Sequence, residues 1–126
     1  MYLDIMKISP SHEWIIMESD TIGIVGITHY AQDLLGDVVY IELPKIGQTV
    51  IAKESIGVIE SAKAASDLYS PVSGEIIAVN DELETDPSLV NIAPHSEGWL
   101  FKLKLTQLDE LTQLQTAADY QKSIGL

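Results

Sequence analysis

The feature that most constrains this fold is the two-residue period of the apolar side chains, which turn-forming sequences interrupt at short intervals. Residues 99–105 show it most clearly, because Trp99, Phe101, Leu103 and Leu105 fall on one face and Lys102 and Lys104 on the other. Successive side chains of a strand point to opposite faces of a sheet, so this period predicts strands. Many short strands separated by turns predict a mainly β fold, either a small barrel or a sandwich. The predicted strands are 12–17, 21–25, 37–43, 55–60, 74–80 and 99–105.

Capping residues predict short helices between the strands. Thr28 is placed to accept a hydrogen bond from the first turn of a helix that ends at Gly36. An aspartate followed by proline at 86–87 predicts a brief helical turn with the proline in its first position. Thr106 begins a pattern similar to a capping box, which predicts a C-terminal helix from near Gln107 with an apolar stripe packed on the core.

Length and composition predict a single domain, 1–126. The chain has 126 residues, 46% of them hydrophobic, which is enough to close one core. Trp14 and Trp99 are expected in that core. Acidic residues outnumber basic ones by 19 to 7, and the net charge of -12 argues against binding to nucleic-acid phosphates. Without cysteine, the chain offers no disulfide, thiolate metal site or cysteine nucleophile.

The sequence predicts a protein that does not cross a membrane. No apolar run approaches the roughly 18 residues that a transmembrane helix requires. Residues 1–7 lack a basic region followed by a long apolar stretch, so no signal peptide is expected. The absence of cysteine fits a reducing compartment. We therefore expect a cytoplasmic monomer, or a protein of the mitochondrial matrix if the source is eukaryotic and the chain already processed.

The motifs of several enzyme classes are absent from the sequence. Residues 57–63 lack the second glycine that a phosphate-binding loop places before its lysine. His12 and Glu13 do not begin a zinc-binding H-E-x-x-H helix, because position 16 is isoleucine. The three histidines lie far apart in sequence, and no serine stands in a G-x-S-x-G elbow. We therefore predict no catalytic residue and no metal site.

Lys63 lies at a turn between two strand-like segments. Its nearest neighbours on both sides are serine or alanine, which leave the amine open to another macromolecule. Glu60 and Asp67 flank it with negative charge. A lysine that forms a Schiff base would instead require an apolar pocket that lowers its pKa. Taken alone, a lysine at such a turn is most often a solvated charge; if Lys63 has a function, it is as an attachment point.

The segment around Lys63 resembles the lipoylation site of glycine cleavage system H proteins, which typically reads E-S-V-K-A followed by S-D, S-P and S-G-E. The corresponding residues here are Glu60-Ser61-Ala62-Lys63-Ala64, Ser66-Asp67, Ser70-Pro71 and Ser73-Gly74-Glu75. Each motif is weak by itself, but their order along nearly the whole chain is specific. Further matches are His12-Glu13-Trp14, Gly26-Ile27-Thr28, Ala31-Gln32, Leu35-Gly36-Asp37, Glu42-Leu43-Pro44, Leu89-Val90-Asn91 and Glu97-Gly98-Trp99.

The resemblance implies a flattened β-barrel, or barrel-sandwich hybrid of the lipoyl-domain type, with short helices and a C-terminal helix. It implies lipoate joined to Lys63 by an amide bond, in a carrier that is not itself an enzyme. Such a carrier accepts an aminomethyl group as the P protein decarboxylates glycine and delivers it to the T protein. The L protein, a dihydrolipoamide dehydrogenase, then reoxidises the arm. A lipoate ligase or an octanoyltransferase would attach the arm.

The resemblance also nominates residues that serve the arm. Ser11, Glu13 and Asp67 match positions that hold the loaded arm when it folds back onto the carrier. Glu60 and Gly74 match positions by which a lipoylating enzyme would recognise the hairpin.

The sequence departs from the family pattern at three positions. Ala62 replaces the usual valine, His95 stands where tyrosine is usual, and Leu34 stands where some members have a histidine near the docking cleft. Lipoyl domains of 2-oxoacid dehydrogenases usually read D-K-A at the lysine, and biotin carriers read M-K-M, so both are less similar. An H-like relay protein, which donates lipoyl groups to other apoproteins, is an alternative that the sequence does not separate from the carrier.

Overall fold

The structure, a computed structural model, describes residues 5–125. The first four residues and Leu126 lie outside the described part, and the prediction for residues 1–7 therefore lies largely outside it. The strands are β1 (Lys7–Ile8), β2 (Glu13–Met17), β3 (Ile22–Ile27), β4 (Val38–Glu42), β5 (Thr49–Val50), β6 (Ser55–Ser61), β7 (Ala65–Tyr69), β8 (Gly74–Val79), β9 (Phe101–Leu105) and β10 (Gln115–Thr116). The helices are α1 (His29–Leu35), α2 (Glu82–Thr85), α3 (Leu89–Ile92) and α4 (Ala117–Ser123), with a 3₁₀ helix at Leu108–Gln113.

The strands form two antiparallel sheets. The larger has the order β10-β1-β2-β3-β9-β8-β5, and the smaller has the order β4-β6-β7. Residues 5–125 bury two hydrophobic clusters. The smaller consists of Met6, Ile8, Trp14, Ile16 and Tyr120. The larger receives residues from both sheets. Its buried residues include Ile15, Val25, Phe101 and Leu103 from the larger sheet and Ile41, Ile59 and Leu68 from the smaller. This confirms the predicted mainly β fold with short helices and a C-terminal helix.

The alternating pattern located the long strands correctly. All six predicted strands are confirmed within a few residues at each end, as β2, β3, β4, β6, β8 and β9. The pattern did not reveal β7, the edge strand of the smaller sheet. Its first three residues, Ala65, Ser66 and Asp67, are exposed and small or polar, and within residues 5–125 β7 pairs with β6 alone. An edge strand held by one neighbour carries little of the apolar signal on which strand prediction depends.

Helix α1 begins and ends where its capping residues predicted. The Thr28 side chain accepts a hydrogen bond from the Ala31 N–H at 3.1 Å. Gly36 follows the helix with a φ of 78°, and its N–H donates to the Gln32 carbonyl at 3.0 Å. A positive φ is strained for residues with a Cβ, so glycine suits this position. Among residues 5–125 no helix is long and apolar enough to cross a membrane.

The brief helical turn predicted at 86–87 is confirmed, because the carbonyls of Asp86 and Pro87 accept from the N–H groups of Leu89 (3.3 Å) and Val90 (3.2 Å) and lead into α3. The predicted start of the C-terminal helix was wrong. The C-terminal helix begins at Ala117, and Thr116, not Thr106, provides its cap by accepting from the Asp119 N–H at 3.2 Å. Strand β10, which directly precedes this helix, pairs with β1, which lies more than a hundred residues earlier in the chain. No local sequence pattern reveals such a contact.

Candidate functional site

Lys63 lies at the tip of the hairpin formed by β6 and β7, and its side chain is exposed. Ser61 closes the turn, because its N–H donates to the Ala64 carbonyl at 2.8 Å. The Ser61 hydroxyl also accepts from the N–H groups of Lys63 and Ala64, both at 3.2 Å. The turn is therefore held by its own backbone and one serine, which leaves the amine of Lys63 accessible.

The hairpin tip rests against the segment that follows α1. The Ala62 N–H donates to the Asp37 carbonyl at 3.1 Å. The aliphatic stem of Lys63 lies over Gly36, where an added Cβ would be 3.1 Å from the Lys63 Cε. Glycine at position 36 therefore adopts the positive φ without strain and leaves space for the side chain of Lys63. The side chain of Ala62 is exposed, so the replacement of the family's usual valine removes no core contact.

A cleft of about 140 Å³ lies beside the hairpin and brings together three of the nominated residues, Ser11, Glu13 and Asp67. Apolar residues of α1 and of both sheets complete its lining, so it combines an anionic part with an apolar part. Leu34 contributes to this lining and is 58% exposed. Where some family members have a histidine near the docking cleft, this chain therefore has hydrocarbon.

Glu13 is the buried acid of this cleft, with only 2% of its surface exposed. Its carboxylate accepts hydrogen bonds from the hydroxyls of Ser9 (2.7 Å) and Ser11 and from the Tyr69 N–H at 3.4 Å. Burial raises the pKa of Glu13 above its ordinary value, while these hydrogen bonds act in the opposite direction. A buried carboxyl with such partners is suited to pairing with a cation that enters the cleft.

Glu13→Gln tests the burial of this acid through the pH dependence of stability. Because the folded pKa exceeds the ordinary value of 4.5, the folded protein binds more protons than the unfolded chain between those two values. The free energy of unfolding of the wild type therefore falls as the pH rises through this window. Glutamine does not titrate, so the stability of the wild type relative to the variant should fall as the pH rises, by at most about 1.4 kcal/mol per pH unit. Urea denaturation from about pH 4 to about pH 8 measures it.

The exposed carboxylate of Glu84, on α2, provides the matched control as Glu84→Gln. A difference between Glu13→Gln and the wild type that stays constant across this range would contradict a raised pKa of Glu13.

Tyr69 is a site residue that sequence reasoning missed. Its hydroxyl donates to the Asp67 carboxylate at 3.4 Å, and its N–H is one of the donors to Glu13. The negative charge of Asp67 is the main reason that the pKa of Tyr69 is raised. A signal was present, since Tyr69 follows Asp67 by two residues and therefore lies on the same face of β7.

The other two nominated residues lie outside the cleft. Glu60 is exposed on β6, paired with Tyr40 and Ala65. Gly74 lies in the larger sheet, where an added Cβ would be 2.4 Å from the Lys104 carbonyl oxygen. Close packing of two strands therefore requires glycine at position 74, whatever an enzyme recognises there.

His95 has a structural role where the family usually has tyrosine. Its Nε2 accepts the His29 N–H at 3.0 Å, which satisfies a free donor in the first turn of α1. Burial lowers the pKa of His95, and the nearby His29 adds to this effect. A neutral imidazole is the form that can accept this hydrogen bond.

Comparisons with known proteins agree with this geometry. The model of the family described as "Glycine cleavage H-protein" matches residues 6–125. A "Glycine cleavage system H protein" of Sodalis glossinidius is 54% identical over 119 residues, 94% of this chain and 91% of the relative. The protein of that name from Pectobacterium atrosepticum is 50% identical and covers 94% and 92%. The crystal structure of a glycine cleavage system H protein from Mycobacterium marinum superposes with a TM-score of 0.88 at 38% identity, covering 98% of each chain.

The match extends over nearly the whole chain in both sequence and fold. The solved neighbour shares the arrangement of two sheets and short helices, which confirms the predicted barrel-sandwich hybrid. Proteins of this family carry lipoate and work with the glycine cleavage enzymes as a carrier subunit, without being catalysts themselves. On this basis the chain belongs to the glycine cleavage H-protein family and is the carrier subunit of a glycine cleavage system rather than an enzyme.

Proposed function

We propose that Lys63 carries the lipoyl group in amide linkage and that residues 1–126 form one carrier domain. The observation that carries this proposal is the exposed lysine at the tip of a hydrogen-bonded hairpin whose two strands line an apolar and acidic cleft. The small residues at positions 62 and 64 leave room for the active site of a lipoate ligase or an octanoyltransferase. Strands on both sides hold the hairpin, so motion is confined to the flexible side chain and its extension.

The lipoyl group would supply the sulfur chemistry that accepts an aminomethyl group and returns to the oxidised form. The chain's own residues present that group in turn to the P protein, the T protein and the L protein. Tethering at Lys63 raises the effective concentration of the group at each partner, as any linkage does. The acidic surface, with a net charge of -12, favours association with basic patches on those partners.

We assign Ser11, Glu13 and Asp67 to the binding of the loaded arm. An aminomethyl ammonium is a cation that carries several hydrogen-bond donors, and these residues offer two carboxylates and a hydroxyl. The hydrocarbon of the arm matches the apolar lining that Leu34 and Leu35 provide. Burial of Glu13 keeps bulk water from one of the two acids, which strengthens its attraction for a cation.

Intact mass spectrometry with peptide mapping tests the attachment site directly. The protein is incubated with lipoate, ATP and a lipoate ligase and then digested. We expect one lipoyl adduct, located on Lys63. Absence of an adduct, or an adduct on another of the seven lysines, would overturn the proposal.

A further inference from the structure

Asn91, on the short helix α3, forms hydrogen bonds through its side-chain amide with α1 and with the segment that follows α1. Its Nδ2 donates to the Gly36 carbonyl at 2.8 Å and to the Gln32 side-chain oxygen at 2.9 Å. Its Oδ1 accepts from the Val38 N–H at 2.8 Å. Both amide protons and the carbonyl oxygen are therefore occupied. The amide ties the end of α1 to the start of β4.

The segment that Asn91 holds, residues 36–38, is also the support of the lysine hairpin. The Asp37 carbonyl accepts from the Ala62 N–H at 3.1 Å. Val38 is the ladder partner of Ser61. The stem of Lys63 lies over Gly36. The hairpin tip therefore makes three contacts with residues 36–38, and the side chain of Asn91 from α3 holds these residues in position.

The backbone of residues 36–38 has little regular structure to fix it. Gly36 leaves the helix with a φ of 78°. The ladder of β4 with β6 then shifts register between Val38 and Tyr40. A glycine in the left-handed region and a strand irregularity both mark places where regular pairing alone does not determine the path of the chain. The side-chain amide provides the missing constraint.

We infer that Asn91 is a positioning residue for lipoylation: by holding residues 36–38 it sets the orientation in which the hairpin presents Lys63 to the modifying enzyme. This inference rests on the proposed attachment of lipoate to Lys63. The hydrogen bonds of Asn91 go to Gln32, Gly36 and Val38 and not to Lys63. Its loss should weaken recognition of the hairpin, while the amine and the core stay in place.

Asn91→Ala and its matched control Asn80→Ala test this role. The side-chain amide of Asn80 also forms hydrogen bonds with backbone groups. It donates to the carbonyls of Glu97 and Trp99 at 2.8 Å and accepts from the Glu82 N–H at 3.3 Å. Its partners lie outside residues 36–38 and outside the hairpin. Lipoylation by a lipoate ligase is followed by mass, giving KM and kcat for each protein. Hydrogen exchange of the Ala62 amide, followed by NMR without lipoate, reports the hairpin contact itself.

In Asn91→Ala we expect the Ala62 amide to exchange on the order of tenfold faster and the KM for the carrier to rise by on the order of tenfold. The kcat should stay within about twofold, because the amine is unchanged. In Asn80→Ala both quantities should stay within about twofold of the wild type, even where global stability falls. Asn91→Asp is the second variant. It keeps the acceptor for Val38 and loses both donors, so its Ala62 exchange rate and its KM should change in the same direction as in Asn91→Ala.

Unchanged Ala62 exchange and unchanged KM in both Asn91 variants would overturn the inference, as would equal losses in Asn80→Ala. A wild-type protein without an adduct on Lys63 would instead overturn the attachment proposal. Faster Ala62 exchange in Asn91→Ala would then still support the role of Asn91 in holding the hairpin.

Discussion

Replacing Lys63 with arginine is expected to abolish both lipoylation and glycine–bicarbonate exchange while the fold is preserved. Arginine stays protonated at any pH at which the protein is folded and offers no free amine to form an amide bond. The side chain is exposed at a turn, so the free energy of unfolding should change by less than about 0.5 kcal/mol. Intact mass after incubation with lipoate ligase measures the first effect, and incorporation of labelled bicarbonate into glycine with P protein measures the second.

Lys122→Arg, at an exposed position on α4, is the matched control and should keep both activities. Exchange activity retained in Lys63→Arg would contradict the assignment of the attachment site. The same assay separates the carrier from the relay protein. A wild-type chain that is lipoylated, supports no exchange with P protein and donates its lipoyl group to other apoproteins would be a relay.

Trp14→Ala should lower the free energy of unfolding by about 3–5 kcal/mol, a large part of the roughly 5–15 kcal/mol that stabilises a typical domain. Trp14 is 1% exposed, and its indole N–H lies 2.9 Å from the Ile27 carbonyl and 3.0 Å from the Pro94 carbonyl. Its ring also meets that of His95 edge-on, with centroids 6.3 Å apart. Alanine would leave a cavity and remove the donor shared by two buried carbonyls. Urea denaturation followed by circular dichroism measures the loss.

Two variants place this loss in context. Trp14→Phe keeps most of the volume and loses the indole donor, so its effect should be smaller than that of alanine. Trp99 is only partly buried, and the Lys102 ammonium lies 5.6 Å from the centre of its ring. Trp99→Ala should therefore cost clearly less than Trp14→Ala, and equal losses would contradict the central place of Trp14 in the smaller hydrophobic cluster. The sequence prediction of a core position is confirmed for Trp14 and only partly for Trp99.

The candidate site was predictable to the extent that its signals are local. A lysine among small residues, between two strand-like segments, indicates an accessible turn, and Lys63 is exposed at one. Thr28 and Gly36 predicted both ends of α1, because capping depends on groups within one helical turn. The cleft residues Ser11, Glu13 and Asp67 were nominated only by resemblance, since no local pattern relates positions more than fifty residues apart. Tyr69 was missed because its role depends on Asp67 and Glu13 together.

By itself, the sequence determined the strands whose side chains alternate, the helix between Thr28 and Gly36, and the turn that exposes Lys63. Each follows from neighbours within a few residues, through pleat, capping and turn geometry. Only the tertiary structure decided where the C-terminal helix begins, that residues 65–69 form the edge strand β7, that Glu13 is buried, and that Asn91 holds residues 36–38 beneath the hairpin. Three of these depend on contacts between distant segments: β10 with β1, Glu13 with Tyr69, and Asn91 with residues 36–38. Strand β7 has little apolar pattern of its own and is defined by its pairing with β6. Burial of the apolar faces of both sheets against each other is what holds such distant segments together in the folded chain.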